Sequence, residues 1–133
     1  MTERTIISPS TLGEPVGPFV RGVRAGNIVA ISGTSALSHL SGPLEDRFLE
    51  DDFATQAELT FENLGAALAT GGLGWADVLK MTVMLKRRAD YAALNDIRGR
   101  ILGGVQVAST TFICDLIRDD MLVEADALAI APT

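Results

Sequence analysis

Residues 53–70 carry an apolar stripe at helical spacing, and no other feature of the sequence limits the possible folds as strongly. The stripe consists of Phe53, Ala57, Phe61, Leu64 and Leu68. Because these positions recur every three or four residues, they lie on one face of an α-helix. Asp51 or Asp52 can cap its first turn, and Gly71-Gly72 ends it. Such a helix must bury its stripe against another layer of secondary structure.

Strand patterns surround this helix. Apolar and β-branched residues between turn signals predict extended segments at 5–7, 19–24, 28–32, 78–85, 109–117 and 122–130. A second helix is predicted to begin after Asp90 and to end at Gly103-Gly104. The order β-β-β-α-β-α-β-β predicts one α+β domain over residues 1–133, with both helices on one face of a six-stranded mixed sheet. The sequence has no third layer for the other face, so another subunit is expected to cover it.

The composition disfavours several classes of protein. The chain has 11 basic and 17 acidic residues, a net charge of −6, whereas nucleic-acid binders present basic patches, so no nucleic-acid partner is expected. His39 and Cys114 are the only residues of their kinds, which argues against a metal site. The sequence shows no signal peptide and no apolar run of about 20 residues. A cytoplasmic protein that does not enter a membrane is therefore expected.

Five short motifs follow one another along the chain. They are Gly17-Pro18-Phe19 with Ala25-Gly26-Asn27 and Ile31-Ser32-Gly33-Thr34, then Glu62-Asn63-Leu64, Trp75-Ala76-Asp77-Val78-Leu79-Lys80-Met81-Thr82-Val83, Asp90-Tyr91-Ala92-Ala93-Leu94-Asn95 and Leu122-Val123-Glu124-Ala125-Asp126-Ala127. No single motif is specific. In this order, over about residues 15–130, they resemble the RidA/YjgF family of reactive intermediate deaminases.

The resemblance implies a chorismate-mutase-like α+β fold and a barrel-shaped homotrimer that holds small molecules in three intersubunit clefts. The best-known members hydrolyse 2-imino or enamine acids to keto acids and ammonia, without a metal or an organic cofactor. In them an arginine of a "PAR" motif holds the substrate carboxylate. A glutamate that corresponds to Glu124 positions or activates water.

The chain departs from the family at the "PAR" motif. The matching segment is Gln106-Val107-Ala108-Ser109-Thr110, and the arginine position falls on Ala108 or Ser109. Neither side chain can hold a carboxylate in the bidentate manner of arginine. The chain therefore resembles the arginine-lacking subgroup, and the standard 2-iminopropionate deaminase activity is not expected.

Two functions remain open. The first is a cofactor-independent enzyme that hydrolyses or tautomerises an imine, an enamine or a related reactive intermediate. The second is a non-catalytic trimer that binds or scavenges a small ligand, in which the missing arginine marks lost chemistry. RNA cleavage, reported for some relatives, fits poorly with the net charge of −6.

Glu124 is the candidate catalytic residue. It stands between Val123 and Ala125 in an apolar strand, where burial raises the pKa of a carboxyl group and suits it to proton transfer near neutral pH. Asp126 lies on the same strand face because side chains alternate with a period of two. The alternative is a structural glutamate that is hydrogen-bonded to backbone across the trimer.

Arg21 is the candidate replacement for the missing arginine. It follows Phe19 by two residues, so the two side chains share a strand face. Phe19 matches an aromatic residue that lines the cleft in the family and is a candidate substrate-binding residue. The alternative for Arg21 is a structural salt bridge.

Five more residues are candidates for substrate binding. Gly33 matches a glycine whose backbone faces the ligand, or it is a bulge glycine, and Ser32 offers a hydroxyl beside it. Asn95 matches a cleft asparagine, or it is a helix-surface amide. Ser109 and Thr111 offer neutral hydrogen bonds in place of the arginine, or they reflect strand propensity alone.

Overall fold

The computed structural model describes residues 2–132. The helix with the apolar stripe, α1, spans Phe53–Thr70, as its spacing predicts. Asp52 caps it, because its carboxylate accepts hydrogen bonds from the backbone N–H and the hydroxyl of Thr55 at 2.9 and 2.8 Å. Gly72, with φ at +78°, lets the chain turn away after the helix.

Six strands form one mixed sheet. They are β1 (Arg4–Ile7), β2 (Gly22–Ala25), β3 (Ile28–Thr34), β4 (Val78–Leu85), β5 (Ala108–Ile113) and β6 (Val123–Ile130). Their order across the sheet is β1-β2-β3-β6-β4-β5. All neighbours are antiparallel except β4 and β5, which are joined through the second helix, α2 (Tyr91–Leu102). The last strand in sequence, β6, therefore lies at the centre between β3 and β4.

Both helices pack on one face of this sheet, which confirms the predicted α+β fold. Helix α1 contacts α2, β3 and β6. The inward-facing strand residues form the core with it and are almost completely buried: Val29, Ile31, Met81, Val83, Leu85, Val123, Ala125, Ala127 and Ala129. Within residues 2–132, no helix is both long and apolar enough to span a bilayer.

The opposite face of the sheet, here called the open face, has no α-helix packed on it among residues 2–132. Its residues alternate with those of the core. Apolar side chains occur on it, and Ile28 and Leu128 are 51% and 40% exposed. Glu124 and Asp126 lie on the same face, opposite Met84 and Thr82 of β4.

Three local predictions need correction. The strand predicted at 109–117 ends at Ile113, because β4 supplies no partner beyond Leu85. The strand predicted at 19–24 is regular only from Gly22, where pairing with β1 begins. Asp90 precedes α2, but its carboxylate pairs with Nε of Arg87 at 2.8 Å and makes no cap hydrogen bond.

Gln56 joins α1 to two loops. Its side chain is 1% exposed, and its Nε2 donates to the carbonyls of Glu50 and Asp120 at 2.8 and 2.9 Å. Its Oε1 accepts the N–H of Leu122 at 2.8 Å. The bonds to Asp120 and Leu122 hold the entry to β6 against the helix, and the bond to Glu50 holds the loop that precedes α1.

Replacing Gln56 with leucine is expected to lower the free energy of unfolding by about 3 kcal/mol, because the buried N–H of Leu122 and two partly buried carbonyl groups lose their partners. Urea unfolding at a fixed chain concentration measures the change. Gln106→Leu is the matched control, since Gln106 is exposed. An equal loss in both variants would contradict the role of Gln56.

Candidate functional site

The predicted catalytic residue, Glu124, lies over a bulge in the neighbouring strand. The pairing of β3 with β6 shifts register between Ile31 and Thr34, and Ser32 and Gly33 form this bulge. A Cβ atom at position 33 would lie 2.6 Å from Oε1 of Glu124. A side chain at position 33 would therefore displace the carboxyl group of Glu124, and bulge and ligand-facing roles for Gly33 are compatible.

The environment of Glu124 favours its protonated form. Burial raises the pKa of its carboxyl group, and the negative charge of Asp126 raises it further. Asp126 is held in place because its Oδ1 accepts the backbone N–H of Thr82 at 3.2 Å. The two carboxyl groups lie on one strand face, as the period of two predicts.

A cavity of about 70 Å³ lies beside Glu124, and we call it the Glu124 cavity. Four predicted site residues line it: Phe19, Arg21, Gly33 and Glu124. The rest of its wall is Val16, Ser35, Leu37, Ser38, Leu44, Arg47, Ile117 and Met121. Phe19 is 45% exposed, so the cavity opens to the surface beside an aromatic ring.

Arg21 is held by backbone carbonyls. Its guanidinium is buried, and Nη2 donates to the carbonyl oxygens of Gly13 and Ser38 at 2.9 and 3.3 Å. Burial lowers its pKa, the nearby charge of Arg47 lowers it further, and Glu14 opposes the shift. These contacts favour the structural alternative, although through carbonyls and not through a salt bridge. Ligand binding by Arg21 stays a prediction.

Ser109 and Thr111 lie in a different place from Glu124. They pair with Met81 and Val83, whose side chains are in the core, so they point to the helix face of the edge strand β5. Thr110, between them, points to the open face, where its hydroxyl accepts a hydrogen bond from Lys80 at 2.9 Å.

A second cleft, of about 430 Å³, lies between α2 and β5, and we call it the α2–β5 cleft. It is lined by Arg88, Tyr91, Arg98, Ser109, Thr111 and Ile113. Arg98 donates from Nη1 to the hydroxyl of Ser109 at 2.9 Å and from Nη2 to Oδ1 of Asn95 at 2.8 Å. The cleft therefore carries a guanidinium, whereas the sequence predicts only neutral hydrogen bonds there.

Sequence reasoning misses Arg98. The one available signal is its distance of three residues from Asn95, which places the two side chains on one face of α2. Nothing in the local pattern indicates which strand that face meets. Asn95 is exposed and lies beside the cleft through its bond to Arg98.

The predicted site residues form two groups on opposite faces of the sheet. Phe19, Arg21, Gly33 and Glu124 surround the Glu124 cavity, and Ser109 and Thr111 line the α2–β5 cleft. The hydroxyl of Ser32 donates to the carbonyl of Val20 at 2.6 Å and belongs to neither group. The two cavities have no lining residue in common. No group of three or more His, Cys, Asp or Glu residues within 2–132 is arranged to hold a metal ion.

Comparisons with known proteins show the family and the fold of this chain. The sequence profile described as "Endoribonuclease L-PSP" matches residues 10–131. A RutC family protein of Synechocystis sp. is 32% identical over 129 residues, covering 96% of this chain and 97% of that protein. Protein DfrA of Myxococcus xanthus is 30% identical, with 96% of each covered. The crystal structure of E. coli TdcF with bound serine superposes with a TM-score of 0.85 at 24% identity, covering 96% of this chain and 99% of TdcF.

The raised pKa of Glu124 predicts a pH dependence of stability. The folded chain holds this proton more tightly than the unfolded chain, so the free energy of unfolding falls as the pH rises from about 4.3 through the folded-state pKa. Glu124→Gln does not titrate and is expected to be more stable than wild type at neutral pH. The difference should disappear below the unfolded-state pKa.

Thermal unfolding across this pH range, at a fixed chain concentration, measures the effect. Glu62→Gln is the matched control, because Glu62 is exposed on α1. If Glu124→Gln and Glu62→Gln show the same dependence on pH, the carboxyl group of Glu124 has no raised pKa.

Proposed function

Because the chain belongs to the endoribonuclease L-PSP family, also called the Rid/YjgF family, we propose that it is a cofactor-independent, homotrimeric enzyme of the cytoplasm that acts on a reactive small molecule. Its substrate class is an imine, an enamine or a related intermediate. The single observation that carries the proposal is the carboxyl group of Glu124, which has a raised pKa and lies over Gly33 beside a cavity.

Glu124 can manage the protons of C=N hydrolysis. As the oxygen of water forms a bond to the imine carbon, the carboxylate takes a proton from that water and passes it to the imine nitrogen, which gives a carbinolamine. The carboxylate then moves the proton of the carbinolamine hydroxyl to the nitrogen, the C–N bond breaks, ammonia leaves, and a carbonyl forms. The raised pKa makes the protonated form of the Glu124 carboxyl group more available near neutral pH than that of an exposed glutamate. The same group can protonate the carbon of an enamine and so tautomerise it to the imine.

The division of the predicted residues between two sheet faces supports a site that is shared between neighbouring chains. One chain offers Glu124 on its open face, and the next chain can offer the β5 edge with Ser109 and Thr111. Contact between these surfaces would also cover apolar side chains such as Ile28 and Leu128. A small molecule in this intersubunit cleft would meet both groups.

A small ligand fits the proposal better than RNA. The family description names an endoribonuclease, but this chain has a net charge of −6, which repels a phosphate backbone. TdcF, which shares the fold, holds serine in its crystal structure.

A non-catalytic ligand-binding trimer is the second candidate. Ser109 favours it, because the resemblance allows this serine at the position of the family's substrate-binding arginine. In that case Glu124 would position a ligand without transferring a proton. The two candidates differ in turnover, which the following experiment measures.

Glu124→Gln is expected to abolish the accelerated release of ammonia from the substrate, because glutamine cannot transfer the proton. Imines produced by an amino-acid oxidase from a panel of amino acids serve as substrates, and keto acid and ammonia are measured against time. The expected loss in kcat is at least about 100-fold. Glu62→Gln serves as the control.

Gly33→Ala supplies a second variant for the same assay. Its methyl group would displace the carboxyl group of Glu124, so kcat should fall, while Gly74→Ala should not affect it, since nothing lies within 4 Å of a Cβ there. Full turnover by Glu124→Gln contradicts the mechanism. If wild type consumes no imine of the panel, the non-catalytic candidate is favoured.

Mixing two inactive variants tests the divided site. Glu124→Gln removes the carboxyl group that one chain contributes to the cleft from its open face. Ser109→Trp obstructs the other half of the cleft, which the β5 edge of the next chain contributes. After the two are mixed in equal amounts, unfolded and refolded together, about one quarter of the clefts should combine two intact halves. Activity should return to about that fraction of wild type.

Light scattering and the ammonia assay measure this outcome. Three chains per particle are expected for each variant. Separately refolded variants that are combined afterwards serve as the control and should stay inactive until chains exchange. Continued inactivity of correctly assembled mixed trimers would place both halves of the site in one chain.

A further inference from the structure

The α2–β5 cleft contains two cations and no anion. Its lining residues include Arg88 and Arg98 and no Asp or Glu. Within residues 2–132, neither arginine forms a salt bridge, whereas Arg87, Arg100 and Arg118 each pair with a carboxylate. In a chain of net charge −6, such a place attracts an anion from solution.

The guanidinium of Arg98 is oriented before any ligand arrives. Ser109 accepts from its Nη1 and Asn95 from its Nη2, so two neutral groups fix the side chain without neutralising its charge. Arg21 differs, because it is buried and donates to several backbone carbonyls. Arg98 is only half-buried and faces the open cleft. A pre-oriented, unneutralised guanidinium binds anions with little loss of side-chain entropy.

The walls of the cleft indicate the rest of the ligand. Tyr91 and Ile113 are 46% and 43% exposed and form an apolar surface beside the cations. The hydroxyl of Thr111 adds a neutral hydrogen-bonding group. A singly charged carboxylate with a short hydrocarbon part matches this combination of charge and apolar surface.

We propose that Arg98, assisted by Arg88, binds the carboxylate of a small organic acid in the α2–β5 cleft. The guanidinium of Arg98 is thus supplied by α2 and lies beside Ser109 of β5. The inference deepens the proposed function, on which it rests for its catalytic meaning: the substrate would be an imino or enamino acid. Binding itself requires no turnover.

Isothermal titration of wild-type protein with pyruvate tests the proposal, and pyruvamide is the neutral comparison. Arg98→Gln is expected to weaken pyruvate binding by about 10- to 100-fold. Arg100→Gln, two residues along the same helix, should change it less than about twofold, since Arg100 pairs with Glu58 outside the cleft. Pyruvamide should bind weakly to all three proteins.

Two further measurements keep the result independent of folding and of catalysis. Arg88→Gln should weaken pyruvate binding less than Arg98→Gln does, and added salt should weaken it in wild type. Pyruvate binding is measured without turnover, so its loss in Arg98→Gln does not depend on whether wild type consumes an imine, which separates the two proposals. Unchanged pyruvate affinity in Arg98→Gln, equal binding of pyruvamide, or binding of inorganic phosphate in preference to pyruvate would each overturn this inference.

Discussion

The alternation of side chains along β6 is the constraint on which the rest of the structure depends. Ala125, Ala127 and Ala129 face α1 and are almost fully buried, and their small size lets the helix lie close to the sheet. Glu124 and Asp126, which alternate with them, must then lie on the open face. A slip of one residue would place both carboxyl groups under the helix. One register therefore fixes the core and the candidate site together.

Arginine side chains fix the irregular segments around the Glu124 cavity. Arg21 and Arg47 both donate to the carbonyl of Glu14, and Arg118 donates to the carbonyls of Leu44 and Arg47 at 2.7 Å. These segments lie outside the sheet and the two α-helices, and the guanidinium groups donate hydrogen bonds to their carbonyl groups. The walls of the cavity are consequently held by side chains that cross between loops.

The sequence predicts those structural features that are determined by residues close together in the chain. The limits of α1 follow from a cap and a glycine next to it, and the placement of Glu124 follows from an alternation within one strand. The end of β5 does not, because it is set where its partner stops at Leu85. The sequence does not predict a role for Arg98 for the same reason: its contact with Ser109 depends on how α2 crosses β5, and that packing involves residues far apart in sequence. It does not predict the carbonyl partners of Arg21 either, because they lie in a segment of no regular structure.

The placement of Glu124 and Ser109 on opposite faces has a genetic consequence. In the proposed trimer each chain contributes its open face to one cleft and its β5 edge to another, so every cleft contains residues from two chains. If only a fraction of the chains is functional, the fraction of functional clefts equals the square of that fraction. A cell that makes a mixture of normal and defective chains would then lose more function than its content of normal chains suggests. Partial dominance of a mutant allele would therefore be the expected result for a site that is shared between chains.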